Sequence, residues 1–586
     1  MASFTKIVFG SCLGFFLAIL TLIILTLGIA AINNLASKGD SAHKVLLLDF
    51  DEFIPELRGN TESNGTFPLP SPTTAGLFEL TDAIKNLGSD KTISSIIIKT
   101  EDTAMGFVTM THIADAIREL RESTDKPIYA YGDYFSQSGY LLASEADTIY
   151  MNPEGGIDLR GFGMVKAFGK DFLDKIGVKM HVFYDGEFKS AAEMFFRNEM
   201  SENSKVQSRE FLVELHDNFL SRISDSRGVE RYKLNESIQS YSFRQADFAF
   251  EQGAVDGLLQ WYEFEDLIRD RLNIGKGKEI NYIKINEYIN SLKKKTPEVL
   301  DNKIAVIYAE GEIQYGTEEY GIINEKHFHE TFDHIRENEL DAVVLRVNSP
   351  GGSSYTSEFI LQEIKELQAN GVPVIASFGN YAASGGYYIA CSADFIIANE
   401  NTLTGSIGAF SVVPNASKLF NEHLGIHFDT LKTGPYATGF SPFLDLTEKD
   451  KALLTKMNNK VYNSFINRVA EGRNMTVEEV ENVARGRVWT GNKAVELNLV
   501  DGIGTLDDAI AMAAEKAGLE NYSISEYPII EKSKFQELVQ GFVDGSEQSK
   551  LGTIAITSKL KDHFDRYNYY NEHRAPQLLL PFSISF

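Results

Sequence analysis

The sequence predicts an α/β protein, built by tandem duplication of one domain and preceded by a membrane helix. Three observations predict it. A strand-like run ends at a serine that opens a helix, the stretch around that serine recurs in altered form in the first half of the chain, and an uncharged segment lies near the start.

Residues 7 to 33, IVFGSCLGFFLAILTLIILTLGIAAIN, carry no charge and are long enough to span roughly 30 Å of hydrocarbon as a helix. A cleavable leader has a shorter apolar core, about 7 to 15 residues, so an uncleaved anchor over residues 1–40 is expected. Flanking charges, Lys6 before the span and Lys38 and Lys44 after it, leave its orientation open. At 586 residues the chain exceeds the usual size of one core, so more than one domain should follow. Its net charge of -26 argues against a nucleic-acid partner, which would need a basic surface. Cys12, inside the apolar span, and Cys391 cannot make a disulfide framework, and Cys391 reads as a small buried hydrophobe.

The duplication is legible in one stretch that aligns without gaps. Residues 133–155, DYFSQSGYLLASEADTIYMNPEG, align on 380–402, NYAASGGYYIACSADFIIANENT, and three strand-like neighbours follow the same order. HKVLLLDF (43–50) matches NKIAVIYA (302–309), SIIIKT (95–100) matches AVVLRV (342–347), and KPIYAYGDY (126–134) matches VPVIASFGNY (372–381). The first repeat is therefore placed at 41–298 and the second at 299–535. A tail over 536–586 ends in APQLLLPFSISF, which can form one extended strand. Residues 270–302 read as a connector, with Lys293 to Lys295 as a solvated face, and 440–520 carry helical periodicity, their stretch 476–518 reading as helix, turn, strand, turn, helix.

In the second repeat AVVLRV runs into the loop NSPGGSS, a helix-period segment covers 356–369, and the strand VPVIASF leads to Ser384 at a helix N-terminus. Such a unit forms a right-handed crossover between parallel neighbours, so both loops emerge at the carboxyl edge of the sheet. Gly351 and Gly352 let main-chain N–H groups approach a ligand closely, and the Gly385 amide follows the serine. Two such donors can hold a tetrahedral oxyanion, an effect of roughly 3 to 4 kcal/mol each. SGG alone reads more simply as a tight turn with close helix–sheet packing. Its pairing with SPGG on the adjacent loop points to chemistry.

The first repeat has Gln137 in the place of Ser384 and EDTAM (101–105) in place of NSPGG (348–352). Further on, DGEFKSAAEMFF (185–196) aligns with TGPYATGFSPF (433–443), so Lys189 stands opposite Ala437. One copy keeps a serine and the other a lysine. The split suggests a site once made between subunits and now made between two halves of one chain, with neither half active alone. Taken by itself, Lys189 reads as a surface lysine after the strand HVFYD.

A catalytic serine needs a base. His423 and His427, in EHLGIHFD, read as structural residues packed on the domain, and Ala382 breaks the G-x-S-x-G elbow. A lysine can serve if burial removes its proton. The S-x-x-K pairs Ser123 with Lys126 and Ser558 with Lys561 lack companion motifs. There is no HExxH, CxxC, carboxylate loop or phosphate loop, so no metal or cofactor is implied.

Taken together, LRVNSPGGSS, NYAASGGYYIACSAD, LTGSIGAF (403–410) and GEFKSA resemble the signal peptide peptidases of the SppA type, in their long, duplicated, membrane-anchored form, over essentially the whole chain. The resemblance implies a Ser-Lys endopeptidase on the Clp protease/crotonase-like fold. By motif, Ser384 is then the nucleophile, Lys189 the general base, Gly352 and Gly385 the oxyanion donors, and Ser406 the residue that orients the lysine. It also implies a homotetramer and peptide substrates that are signal-peptide remnants. The expected location is a bacterial inner membrane, crossed once, with the catalytic body on the periplasmic side. Clp subunits carry a histidine downstream of their serine, whereas TGSIGAFS has none, in keeping with a lysine base. Two rival readings stay open: a crotonase-like acyl-CoA enzyme and a non-enzymatic anchored scaffold.

Overall fold

The computed structural model describes residues 44–50, 53–59, 74–103, 105–292, 302–317, 319, 321–529 and the backbone of 577–579. The apolar span 7–33, Lys293 to Lys295, Ser558 and Lys561 lie outside the described residues. Among the described residues no helix is long and apolar enough to cross a membrane.

The first repeat is an α/β unit whose strands are almost continuous apolar runs, as a parallel sheet covered on both faces requires. In chain order they are β1 (Lys44–Leu48), β2 (Ile93–Ile98), β3 (Ile128–Gly132) and β4 (Thr148–Met151). Helix α1 (Leu77–Asn86) lies between β1 and β2, α2 (Phe107–Ser123) between β2 and β3, and α3 (Gln137–Ala143) between β3 and β4. Strand β5 (Lys179–Asp185) leaves this sheet, helix α4 (Glu202–Arg227) follows, and β6 (Gly257–Leu258) and β7 (Tyr282–Lys284) complete the order β6-β4-β3-β2-β1-β7, parallel throughout. The stretch read as a connector therefore includes an edge strand, and the helix after it buries Ile285, Tyr288 and Ile289. Its lysines and glycines masked a strand too short to show a period of its own.

The second repeat restates this plan. β8 (Lys303–Glu310), β9 (Ala342–Ser349), the short β10 (Gly351–Ser353), α5 (Ser354–Ala369) and β11 (Val374–Ala383) lead to α6 (Gly385–Ala390). β12 (Phe395–Ala398), β13 (Leu403–Gly405), β14 (Ala409–Asn415), α7 (Glu448–Gly472), β15 (Val488–Thr490), β16 (Gly502–Ile503), α8 (Leu506–Ala517) and β17 (Ser523–Tyr527) follow. The main path is β15-β13-β11-β9-β8-β17, and β12 pairs with β11 and β16. Within 440–520 the structure thus adds β16, and a short helix at Gly491–Glu496, to the elements expected there.

Three features fasten the repeats together. Asn380 caps the N-terminus of α2, its Oδ1 accepting from the Val108 amide at 2.9 Å and its Nδ2 donating to Thr109 Oγ1 at 2.8 Å. Arg346, buried on β9, donates from Nε to Glu56 at 3.0 Å and from a terminal nitrogen at 3.2 Å, while its other terminal nitrogen reaches Ser377 Oγ and the Phe378 carbonyl. Ala383, Leu403 and Val488 of the second repeat lie in the core of the first.

A third, four-stranded sheet draws on both repeats and on the tail. Its order is β10-β18-β14-β5, where β18 is Gln577–Leu579. β5 pairs antiparallel with β14 from Lys179 opposite Asn415 to Asp185 opposite Ala409. That pairing delivers the loop after β5 to the second repeat.

Candidate active site

β11 does not pass smoothly into α6. Ser384, between them, has φ 56° and ψ -115°, a conformation that costs a non-glycine residue on the order of 1–3 kcal/mol. Its amide donates to the Gly405 carbonyl at 2.8 Å, so pairing with β13 holds the turn in place. The abrupt turn brings the hydroxyl to Lys189.

Lys189 arrives from the other repeat on the loop after β5. The Phe188 amide donates to the Arg485 carbonyl at 3.0 Å. Gln207, on α4, donates to the Phe188 carbonyl at 3.1 Å and accepts from the Val488 amide at 3.2 Å. Gly486 presses on the same loop: a Cβ there would lie 2.6 Å from the Lys189 amide nitrogen. The second repeat therefore fixes the backbone that carries the amine.

Lys189 Nζ lies 2.7 Å from Ser384 Oγ, 2.9 Å from the Ser406 carbonyl oxygen and 3.0 Å from Ser406 Oγ. Lys189 is 3% exposed, and Ser384 and Ser406 are 0% exposed. Loss of hydration drives the Lys189 pKa well below its ordinary value, and no neighbouring charge offsets it. A neutral amine has two N–H donors and one lone pair. Three oxygen neighbours match that inventory: Ser406 accepts both N–H bonds, and the Ser384 hydroxyl donates to the lone pair.

The glycines gather beside the serine. Gly351 has φ 104° and Gly352 φ 153°, and a Cβ on Gly352 would lie 1.9 Å from the Ile313 carbonyl oxygen. A Cβ on Gly385 would lie 3.1 Å from the Gly352 amide nitrogen and 2.8 Å from Ser357 Oγ. Neither position has room for a side chain, and the main chain of Gly352 packs against Gly385, the residue that follows Ser384. The Gly351 amide donates to Ser349 Oγ at 3.1 Å, which holds the glycine loop. All five residues singled out in the sequence, Ser384, Lys189, Gly352, Gly385 and Ser406, thus converge.

Other candidates stand apart. The expectation that His423 and His427 pack on the domain is incorrect, because both lie on an exposed segment with Leu424, Ile426 and Phe428 also open to solvent. Ser123 Oγ donates to the Leu120 carbonyl and Lys126 Nζ to the Leu87 and Asp90 carbonyls, so that S-x-x-K pair is engaged with its own backbone. In the first repeat Gln137 Oε1 accepts from the amides of Arg160 at 3.3 Å and Gly161 at 3.0 Å. Ala437, opposite Lys189 in the alignment, is exposed. Sequence reasoning missed Gly486, Gln207 and the Ser406 carbonyl. The glycine of ARGRVW was visible, yet nothing in the sequence linked it to a loop nearly 300 residues earlier.

Comparison with known proteins gives the family context. The model of peptidase family S49 matches residues 121–273 and 366–520. Protease 4 of Salmonella typhi is 35% identical over 487 residues, spanning 81% of this chain and 77% of that protein. Protease 4 of Haemophilus influenzae is 29% identical over 97% of this chain and 95% of its own length. The chloroplastic serine protease SPPA of Arabidopsis thaliana is 29% identical over 83% of this chain and 72% of its own.

Proposed function

The chain belongs to peptidase family S49 and is a serine endopeptidase, and from that premise we propose that Ser384 is its nucleophile and Lys189 its general base. The observation that carries this reading is the 2.7 Å approach of a dehydrated amine to the hydroxyl. The neutral amine takes the hydroxyl proton as Oγ attacks the scissile carbonyl carbon. Negative charge moves to the carbonyl oxygen, held by the amides of Gly352 and Gly385. The protonated amine then gives its proton to the leaving nitrogen as the C–N bond breaks. A water molecule repeats the sequence on the acyl-enzyme ester, and Ser406 keeps Nζ aimed throughout. No step calls for a metal or cofactor.

The substrates are extended apolar peptides, signal-peptide remnants among them, that add a strand beside β10. The fold of each repeat is of the Clp protease/crotonase-like kind, supported by the parallel sheet and the glycine loop ahead of the serine. Residues 7–33 anchor the chain in a bacterial inner membrane, with the catalytic body on the periplasmic side, supported by their length and lack of charge.

We further propose that copies assemble head to tail as a homotetramer. β5 has its repeat counterpart in 427–433, and β14 has its counterpart in 162–168. β5 and β14 pair within the chain, whereas neither counterpart belongs to a strand, and Val165 and Leu431 are fully exposed. Pairing 427–433 of one copy with 162–168 of the next would repeat the internal junction between chains, a heterologous contact that closes into rings.

Hydrolysis of an apolar signal-peptide fragment by the detergent-solubilised full chain tests the catalytic reading. Activity in the wild type that is abolished in both Ser384→Ala and Lys189→Ala is expected; retention in either contradicts its role. Light scattering of the same sample tests the tetramer.

A further inference from the structure

The segment 484–489, ARGRVW, meets the surroundings of Lys189 in two ways. Its main chain holds the stretch that supplies the lysine's acceptors: the Ser406 amide donates to the Arg487 carbonyl at 2.7 Å, and the Gly486 amide donates to the Ile407 carbonyl at 2.7 Å. One of its side chains holds the lysine's own loop. The guanidinium carbon of Arg487 lies 4.9 Å from the ring centre of Phe188, the residue before Lys189, and 4.2 Å from the ring of Trp489. Both distances fall within the reach of a cation over an aromatic face, about 6 Å. Arg487 thus joins a ring of the first repeat to a ring of the second.

Hydrogen bonding alone does not account for an arginine here. One terminal nitrogen donates to Glu210 on α4 at 2.5 Å, but Nε is buried and meets no acceptor among the described residues. A buried donor without a partner destabilises, and what the side chain supplies in return is a flat cationic face, which a lysine ammonium lacks. The first repeat has no such arrangement. Matching the helix N-caps Gln245 and Thr490 sets Ser242 opposite Arg487 and Arg244 opposite Trp489, while Tyr436, opposite Phe188, is exposed. The guanidinium and its two rings occur in the repeat that holds Ser384.

We propose that Arg487 is a positioning residue for Lys189: its guanidinium, laid on Phe188, fixes the loop that carries the amine and keeps water away from it. This rests on the catalytic reading above and adds to it a side chain that touches neither the substrate nor the reacting atoms. Phe188 is half-buried while Lys189, the next residue, is 3% exposed, so releasing the ring opens the loop to water. A hydrated amine holds its proton nearer the ordinary lysine range, and a base misplaced by about 1 Å loses roughly 100-fold in rate.

The test compares the full-length wild type with Arg487→Ala, using an apolar fluorogenic peptide, with circular dichroism to give the folded fraction. Arg487→Ala is expected to lower kcat by about 100-fold with KM little changed, and to move the rise of kcat/KM to higher pH. Arg487→Lys keeps the charge opposite Glu210 without the flat face and should show most of the same loss. Phe188→Leu removes the aromatic face and keeps an apolar side chain, so it should reproduce the pH shift even if Arg487→Ala fails to fold. An unshifted pH profile in Phe188→Leu, wild-type kcat in Arg487→Lys, or a loss in Arg487→Ala that vanishes once rates are divided by the folded fraction would overturn the proposal.

A second measurement needs no peptidase activity. Burying Lys189 without its proton destabilises the chain increasingly as pH falls below the ordinary lysine range, so Lys189→Met should melt higher by a margin that widens as pH falls. In the Arg487→Ala background that margin should shrink, because a hydrated amine keeps its proton in the folded chain. An unchanged margin sinks the inference whatever the activity. A reduced margin together with activity that survives Lys189→Ala supports the inference and removes the catalytic reading alone.

Discussion

Lys189 Nζ and Ser384 Oγ stand 2.7 Å apart although 195 residues separate them in the chain. The lysine hangs on the end of a strand from the first repeat that has crossed to pair with the second, and the serine sits on a strained turn that the second repeat's own sheet enforces. Neither repeat holds both groups.

Removing either member of this pair should abolish turnover without unfolding the protein. Ser384→Ala and Lys189→Ala are each expected to lower kcat by roughly 10⁴ to 10⁶, and the double variant by no more than the worse single, because the two act as one unit. Steady-state kinetics with circular dichroism as a folding control check this. Additive losses would mean that the two groups act independently.

The buried amine makes stability depend on pH. Its folded pKa lies well below the ordinary 10.5, so below that value the unfolded chain binds a proton that the folded chain does not. Stability from this group is complete above the unfolded pKa, declines as pH falls through the window between the two pKa values, and levels off below the folded one. Lys189→Met should therefore melt above the wild type, by a margin that widens as pH is lowered across that window. Thermal melts over a pH series give the answer, and a constant margin would count against a neutral lysine.

Ser406 orients the amine through two oxygens, and only one is on its side chain. Ser406→Ala is expected to lower kcat by about five- to 150-fold, the range for leaving one buried donor without its acceptor at 1–3 kcal/mol, with KM little changed. A loss confined to KM would place Ser406 in peptide binding instead.

Glu56 and Arg346 join the repeats at 2% and 1% side-chain exposure. Glu56→Ala leaves a buried guanidinium without its carboxylate and is expected to destabilise the fold by about 3–5 kcal/mol, whereas replacing both partners with apolar residues should recover much of the loss. Urea unfolding of the three proteins measures it.

The repeat, the strand and helix unit around Ser384, and the pairing of a serine in one copy with a lysine in the other were legible because they are local or recur at matched positions. The oxygens around the amine were only half legible: Ser406 stood out by its motif, but its carbonyl is a backbone acceptor that no side-chain pattern reveals. Gly486 and Gln207 escaped because their importance lies in touching a loop from the opposite repeat, a tertiary fact with no periodicity. The short β7 was hidden for a related reason, since a three-residue strand carries too few positions to outweigh the glycines and lysines beside it. The exposure of His427 was misjudged because 427–433 has a paired counterpart in β5 but itself belongs to no strand among the described residues.

In the proposed mechanism an amine from one half makes a hydroxyl from the other half reactive. The rate at which a serine-directed acylating probe labels Ser384, followed by mass spectrometry across pH in wild type and Lys189→Ala, tests this most directly. Wild-type labelling should rise with pH through a single ionisation well below the ordinary lysine range, and the variant should label slowly with no such step. Equal rates and matching pH profiles in the two proteins would show that Ser384 does not depend on Lys189.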